Sequence, residues 1–186
     1  RNRATLAGNL TNASPAADTP PVLVAMRAAV ELFGPSGTRV IDVDEFLVGY
    51  RETALQPGEL ITAVIIPGVD DKSSSAFMKL GVRRAMEISI VCVGASIALD
   101  DSGAISAAGV GLGSVAPTTV RSAGAEEVLV GNQPSDELFA RAGRAAAVDC
   151  SPIDDLRASG EYRHEMVPIL VRRSVARAYQ RASGTT

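Results

Sequence analysis

Tryptophan is absent from this 186-residue sequence, there is one histidine, there are two cysteines, and only 4% of the residues are aromatic. Each shortage excludes a class of function. A single histidine, His164, cannot build a histidine-ligated metal centre, and a Ser-His-Asp triad would have to use it. Cys92 and Cys150 are too few for a four-cysteine zinc or iron–sulfur site. Nor do they make a secreted disulfide framework, so a reducing, cytoplasmic compartment is the expectation. Few aromatics, a net charge of −3 and a pI near 5.2 leave neither stacking platforms nor a basic field for nucleic acid. The longest apolar stretches, residues 22–26 and 88–99, fall short of the roughly 20 residues of a membrane span.

What is present is ordinary globular material: 46% hydrophobic and 21% charged residues, enough for one or two small domains. The opening Arg1-Asn2-Arg3 shows neither an initiator methionine nor a signal peptide, and the chain reads as part of something longer. Residues 1–14, rich in Asn, Thr, Ala and Gly, read as loop. Asp18 or Thr19 can cap a short helix over 22–27, with Pro20 and Pro21 in its first turn. Strands are expected at 29–33 and 38–43 around the turn at 34–37, a short helix at 44–50, and a strand at 60–66. The polar stretch 70–75 marks a domain boundary, which divides the chain into 1–70 and 72–182. Three strands follow, at 76–82, 89–99 and 104–114, and then helices at 120–130, 135–148 and 161–182. The fold class is therefore α+β, with a three-stranded antiparallel sheet packed with three helices in the second unit.

The segment Thr5 to Asp18 is the most informative. Its small residues let backbone come close to a ligand, and Thr5, Asn9, Asn12 and Ser14 supply polar side chains suited to phosphate or hydroxyl groups. The plain reading is a polar loop with Asp18 as a helix cap.

Arg1-Asn2-Arg3-Ala4-Thr5-Leu6-Ala7-Gly8-Asn9 with Ala13-Ser14-Pro15-Ala16-Ala17-Asp18 resembles the second FAD-binding segment of the molybdenum hydroxylase flavoproteins, the medium subunits of xanthine, carbon monoxide and nicotinate dehydrogenases. Tyr50-Arg51-Glu52-Thr53 and Pro57-Gly58-Glu59-Leu60-Ile61 are similar to the end of that family's FAD domain. Phe77-Met78-Lys79, Arg83-Arg84-Ala85-Met86-Glu87 and Gly113-Ser114-Val115-Ala116-Pro117 resemble its C-terminal domain. The resemblance implies that Thr5 contacts the FAD diphosphate, with Gly8 and Asn9 in the same loop and Asn12 reaching the flavin chain. It implies that Asp18 contacts FAD, that Ile61 lies beside it as an apolar neighbour, and that Lys79 touches the flavin. It assigns no general acid or base and no metal ligand to this chain. The molybdenum cofactor and [2Fe-2S] clusters would sit on two partners, an iron–sulfur small subunit and a molybdenum-binding large subunit, with electrons passing through FAD to NAD or another acceptor. Two departures stand out. Ala7 replaces a family glycine, which matters if that position needs positive φ. The family's first, glycine-rich FAD segment falls before Arg1, so the 186 residues alone are expected to bind FAD weakly. A non-catalytic scaffold that does not hold FAD is the alternative.

Other features have plainer readings. Gly109, Gly111 and Gly113 share one strand face and predict close packing of a helix there rather than a nucleotide loop. Arg83, Arg84 and Glu87 read as surface charges. On the last helix Arg163, Arg172, Arg173, Arg177 and Arg181 form the expected solvated face, with Met166, Ile169, Leu170 and Val175 inward, His164 exposed and Pro168 bending the helix. Cys92 reads as core.

Overall fold

The computed structural model describes residues 4–83 and 87–184. Thr5 starts it with a capped turn where a loop was expected: its hydroxyl accepts from the Gly8 N–H at 2.9 Å, and α1 (Leu6–Thr11) follows. A six-residue helix is marginal by propensity alone, and burial of Leu10 fixes this one. The next helix, α2 (Thr19–Ala25), has Asp18 at its N-cap position and proline in its first turn. It stops short of the expected end because Arg27 turns left-handed, at φ +55°. The chain then runs through β1 (Ala29–Gly34), β2 (Gly37–Asp42), α3 (Val43–Phe46), β3 (Leu47–Gly49), β4 (Glu52–Thr53) and β5 (Leu60–Ile65). The helix expected over 44–50 is thus one turn, and its second half is strand β3. A three-stranded antiparallel sheet, ordered β2-β1-β5, buries Val30 and Leu32 against Leu10, Val24, Val43 and Phe46.

The second sheet is built from β6 (Ser73–Leu80), β7 (Val91–Leu99) and β8 (Ile105–Gly113), all antiparallel. A two-residue strand, β9 (Val120–Arg121), extends the expected three to the order β6-β7-β8-β9, so the helix after it, α4 (Ala123–Leu129), starts later than the composition implied. One face of this sheet, carrying Val91, Val93, Ala95, Ile97, Val110 and Leu112, packs under α4, α5 (Asp136–Val148) and α6 (Gly160–Ala182) in the larger core. Ser122, Ser135 and Ser159 cap these helices through their hydroxyls.

The glycine prediction for the opposite face holds, and the helix involved is α2. A Cβ on Gly109 would lie 1.9 Å from the Ala25 carbonyl oxygen, and one on Gly111 would lie 2.1 Å from that of Pro21. Gly94 on β7 is slightly less tight, at 2.4 Å from the same Pro21 oxygen. Only hydrogen fits there, so α2 lies backbone-to-backbone on the second sheet. Ser96 Oγ donates to the Ala25 carbonyl at 2.5 Å. Arg27 pairs at 2.7 Å with the buried Glu126 of α4, which also takes the Val110 N–H and Arg121. Burial raises the Glu126 carboxyl above its ordinary range, against the pull of the Val110 N–H and Arg121.

The last helix departs from its sequence reading at two positions. Arg163 is buried, 3% exposed, and Ile169 is exposed. The Arg163 guanidinium donates to the carbonyls of Ile90 (2.6 Å) and Ser114 (3.1 Å) and to Asp155 (2.6 Å), tying the ends of β7 and β8 to the 151–158 loop. Three acceptors converge on it, so a buried charge is tolerated. Arg172, Arg173 and Arg177 are exposed as expected, as is His164, while Arg181 reaches the Ser75 carbonyl of β6 at 2.7 Å. No helix is long and apolar enough to cross a membrane among the described residues.

Candidate functional site

Asp18 and Lys79 are 61 residues apart in sequence and meet in space. The Lys79 ammonium, on β6, donates to both Asp18 carboxylate oxygens at 3.0 and 2.7 Å and to the Glu87 carbonyl at 2.7 Å. Asp18 receives a further bond from the Ser89 hydroxyl at 2.8 Å. It makes no side-chain bond to its own helix, so its carboxylate serves the sheet side and not the cap. The pair is half-open: 46% of the Asp18 side chain and 24% of that of Lys79 remain exposed.

A second group adjoins it through the chain. Thr5 and Gly8 face each other across the first turn of α1, and a Cβ on Gly8 would lie 2.8 Å from the Thr5 oxygen. Asn9 accepts a hydrogen bond from the hydroxyl of Thr19, the residue after Asp18. Asn12 is exposed at the C-cap of α1, where its N–H bonds the Gly8 carbonyl. Thr5, Gly8, Asn9 and Asn12 therefore lie along one short helix joined to the Asp18–Lys79 pair at the start of α2. Ile61 stands apart on β5, half-buried and opposite Leu32, packed on the first core with no bond to the others. Ala7 lies inside α1, where alanine is favoured, so the missing glycine imposes no positive φ. The left-handed residue is Ala13, at φ +44°, which swings the chain into Ser14 and Pro15.

That swing seats the motif. The Pro15 carbonyl accepts from the Ser114 N–H at 2.8 Å, docking residues 14–17 on the end of β8. Beneath Asp18 and Lys79 lies Cys92, fully buried, its thiol pushed up to about 12 by burial and therefore protonated. A cavity of about 450 Å³ opens beside Ser14, Pro15, Tyr50, Arg51, Ile88 and Arg163. A larger one, about 610 Å³ between Met26, Val69, Ser73 and Ser96, touches none of the seven expected site residues. The Glu87 carboxylate accepts the backbone N–H groups of Val82 and Arg83, so it organises the turn after β6; Arg84 lies outside the described residues. Among the described residues, no three His, Cys, Asp or Glu side chains gather as a metal site.

Sequence reasoning missed Ser89, Thr19 and the Glu87 carbonyl as members of this cluster. Nothing local announces them, because the partners of Ser89 and Glu87 come from other elements.

The comparisons with known proteins agree on one family. Residues 1–69 match the FAD binding domain in molybdopterin dehydrogenase, and residues 76–178 match the CO dehydrogenase flavoprotein C-terminal domain. The chain is 32% identical over its whole length to the 6-hydroxypseudooxynicotine dehydrogenase complex subunit alpha of Paenarthrobacter nicotinovorans. It is 33% identical, over 98% of its length, to the carbon monoxide dehydrogenase medium chain of Afipia carboxidovorans. It spans 62% of each of those relatives. A solved carbon monoxide dehydrogenase from Hydrogenophaga pseudoflava, lacking the Mo-pyranopterin moiety of its cofactor, superposes with a TM-score of 0.92 at 29% identity, over 97% of this chain and 62% of that one.

Proposed function

The chain belongs to the family of FAD-binding medium subunits of the molybdenum hydroxylases, and from that premise we propose that Thr5, Gly8, Asn9, Asn12, Asp18, Ile61 and Lys79 form its share of the FAD surface. The observation that carries this reading is the half-open Asp18–Lys79 pair at the end of the α1–α2 segment. The donor set fits the cofactor. Thr5 accepts from Gly8 and keeps its O–H for a phosphate oxygen. Gly8 is exposed and leaves the backbone open beside it. Asn9 uses its amide oxygen on Thr19 and keeps its NH₂. Asp18 has carboxylate surface left to accept from a hydroxyl, Lys79 supplies a positive donor, and Ile61 supplies an apolar side.

FAD, when bound, supplies the exchange of electrons. The chain's residues bind and orient it. The ammonium of Lys79, paired with a carboxylate and bonded to a carbonyl, presents a cationic donor at this surface, and a cationic donor favours electron density building up beside it. In the assembled enzyme we expect an iron–sulfur small subunit and a molybdenum-binding large subunit as partners of the chain, with FAD passing electrons from the clusters to NAD or another acceptor. We also propose that residues 72–182 are a folding unit of their own, to which α2 is fastened.

Flavin titration of the full-length protein tests the site. Asp18→Asn and Lys79→Met are each expected to weaken FAD binding tenfold or more, by loss of a charge-assisted hydrogen bond of about 1.5–3 kcal/mol. Unchanged affinity in both variants, with normal folding, would refute the reading and leave the scaffold alternative.

A further inference from the structure

We propose that Ser89 is a positioning residue for the cofactor site: its buried hydroxyl fixes the Asp18 carboxylate, and with it Lys79, in the orientation that meets the flavin cofactor. The proposal rests on Asp18 and Lys79 being cofactor contacts.

Among the described residues, two side chains hold Asp18. One, Lys79, is a long flexible chain; the other, Ser89, is 0% exposed and donates at 2.8 Å. The serine cannot wander. The next residue, Ile90, gives its N–H to the Leu80 carbonyl at 2.8 Å, and its own carbonyl is held by the buried Arg163. The Ser89 hydroxyl is therefore a donor fixed by the sheet, aimed at a carboxylate that is half in water. Without it, Asp18 keeps the lysine as its one side-chain partner among the described residues, and its exposed oxygens are free to turn to solvent. Lys79 would then lose its aligned partner and keep the Glu87 carbonyl alone. Positioning of this kind acts by removing wrong orientations before the ligand arrives.

The test uses the full-length protein, with FAD titrated into the apoprotein and the flavin midpoint potential measured on the loaded form. Ser89→Ala is expected to weaken FAD binding roughly tenfold, the low end for a hydrogen bond to a charged group, and to shift the potential. Ser89→Thr, which restores the hydroxyl, should recover both. In an Asp18→Ala background, which removes the acceptor, the Ser89→Ala effect should largely vanish, because the serine acts through that carboxylate. Where Ser89→Ala reduces the yield of folded protein, Ser89→Cys keeps the volume with a weaker donor and is read the same way. Wild-type affinity and potential in Ser89→Ala overturn the proposal, as does a loss that persists in full beside Asp18→Ala. If Asp18→Asn and Lys79→Met alone leave FAD affinity unchanged, the site reading falls and this proposal falls with it.

Discussion

Replacing Gly111 by alanine should loosen the whole molecule from one methyl group. The added Cβ would lie 2.1 Å from the Pro21 carbonyl oxygen and 2.9 Å from its carbon. Ordinary contact begins at 3.4 Å, so α2 must lift by about 1.3 Å at that point. Both atoms are backbone, and no side-chain rotation relieves the clash. Overpacking of this kind costs about 1–3 kcal/mol, and the absence of a soft neighbour places Gly111→Ala near the top of that range. For a chain of this size each kcal/mol lowers Tm by about 2–4 °C, so a drop of roughly 6–12 °C is expected. Gly124→Ala is the control. Its Cβ would find Ala145 at 3.9 Å, ordinary contact, inside α4, and should stabilise by about 0.5 kcal/mol. Urea titration of both variants beside the parent gives the two changes with opposite signs. Because α2 begins one residue after Asp18, lifting it also tilts Asp18 away from Lys79, and Gly111→Ala should weaken FAD binding in the full-length protein. A Gly111→Ala chain as stable as the parent would refute the packing argument outright.

Three further outcomes are expected. Arg163→Met should cost about 1–3 kcal/mol, since it strands the Ile90 and Ser114 carbonyls that the guanidinium serves, while Asp155 keeps Arg157; no measurable loss in denaturant titration would contradict the clamp. Hydrogen bonds from Arg39, and one from the Gln56 N–H, hold the Glu59 carboxyl down at about 2. Its folded pKa lies below the unfolded one, so its contribution is complete above about 4.5 and is lost as pH falls toward 2. Glu59→Gln should flatten the acid limb of the stability curve in that window, and an unchanged limb would argue against the pair. Limited proteolysis should cut first between Ile66 and Lys72, an exposed stretch between the two sheets; equal resistance of that linker and the strands would count against 72–182 as a separate unit.

Much of the larger sheet was legible because its strands alternate and its glycines fall at spacing two. What spacing could not reveal was which helix fills the groove, since Pro21 and Gly111 are 90 positions apart. The helix α1 was illegible for a different reason: six residues containing Gly and Asn have poor intrinsic helicity, and only the Thr5 cap and the burial of Leu10 decide the matter. Arg163 was misread because helical periodicity assigns a charged residue to the solvated face. The three acceptors that reverse this come from the residue before β7, the residue after β8 and a loop. Of the site, the likeness to a known family singled out Asp18 and Lys79, and the fold brought them together. Ser89 was hidden because a lone serine beside a strand carries no local signal, and its partner lies on another element.

The bond from Arg181 to the Ser75 carbonyl bears on how the molecule behaves in a crowd. Among the described residues β6 is an outer strand, eight residues long, with only β7 beside it. A strand of that length with an open flank is a template for another chain to add to. Arg181 occupies an acceptor on that strand and sets a positive charge at its flank. The other outer strand, β9, is two residues long and offers almost nothing to copy. Among the described residues the two outer strands thus offer little for another chain to copy, and an Arg181→Leu chain is expected to lose that protection by aggregating from a fold otherwise intact.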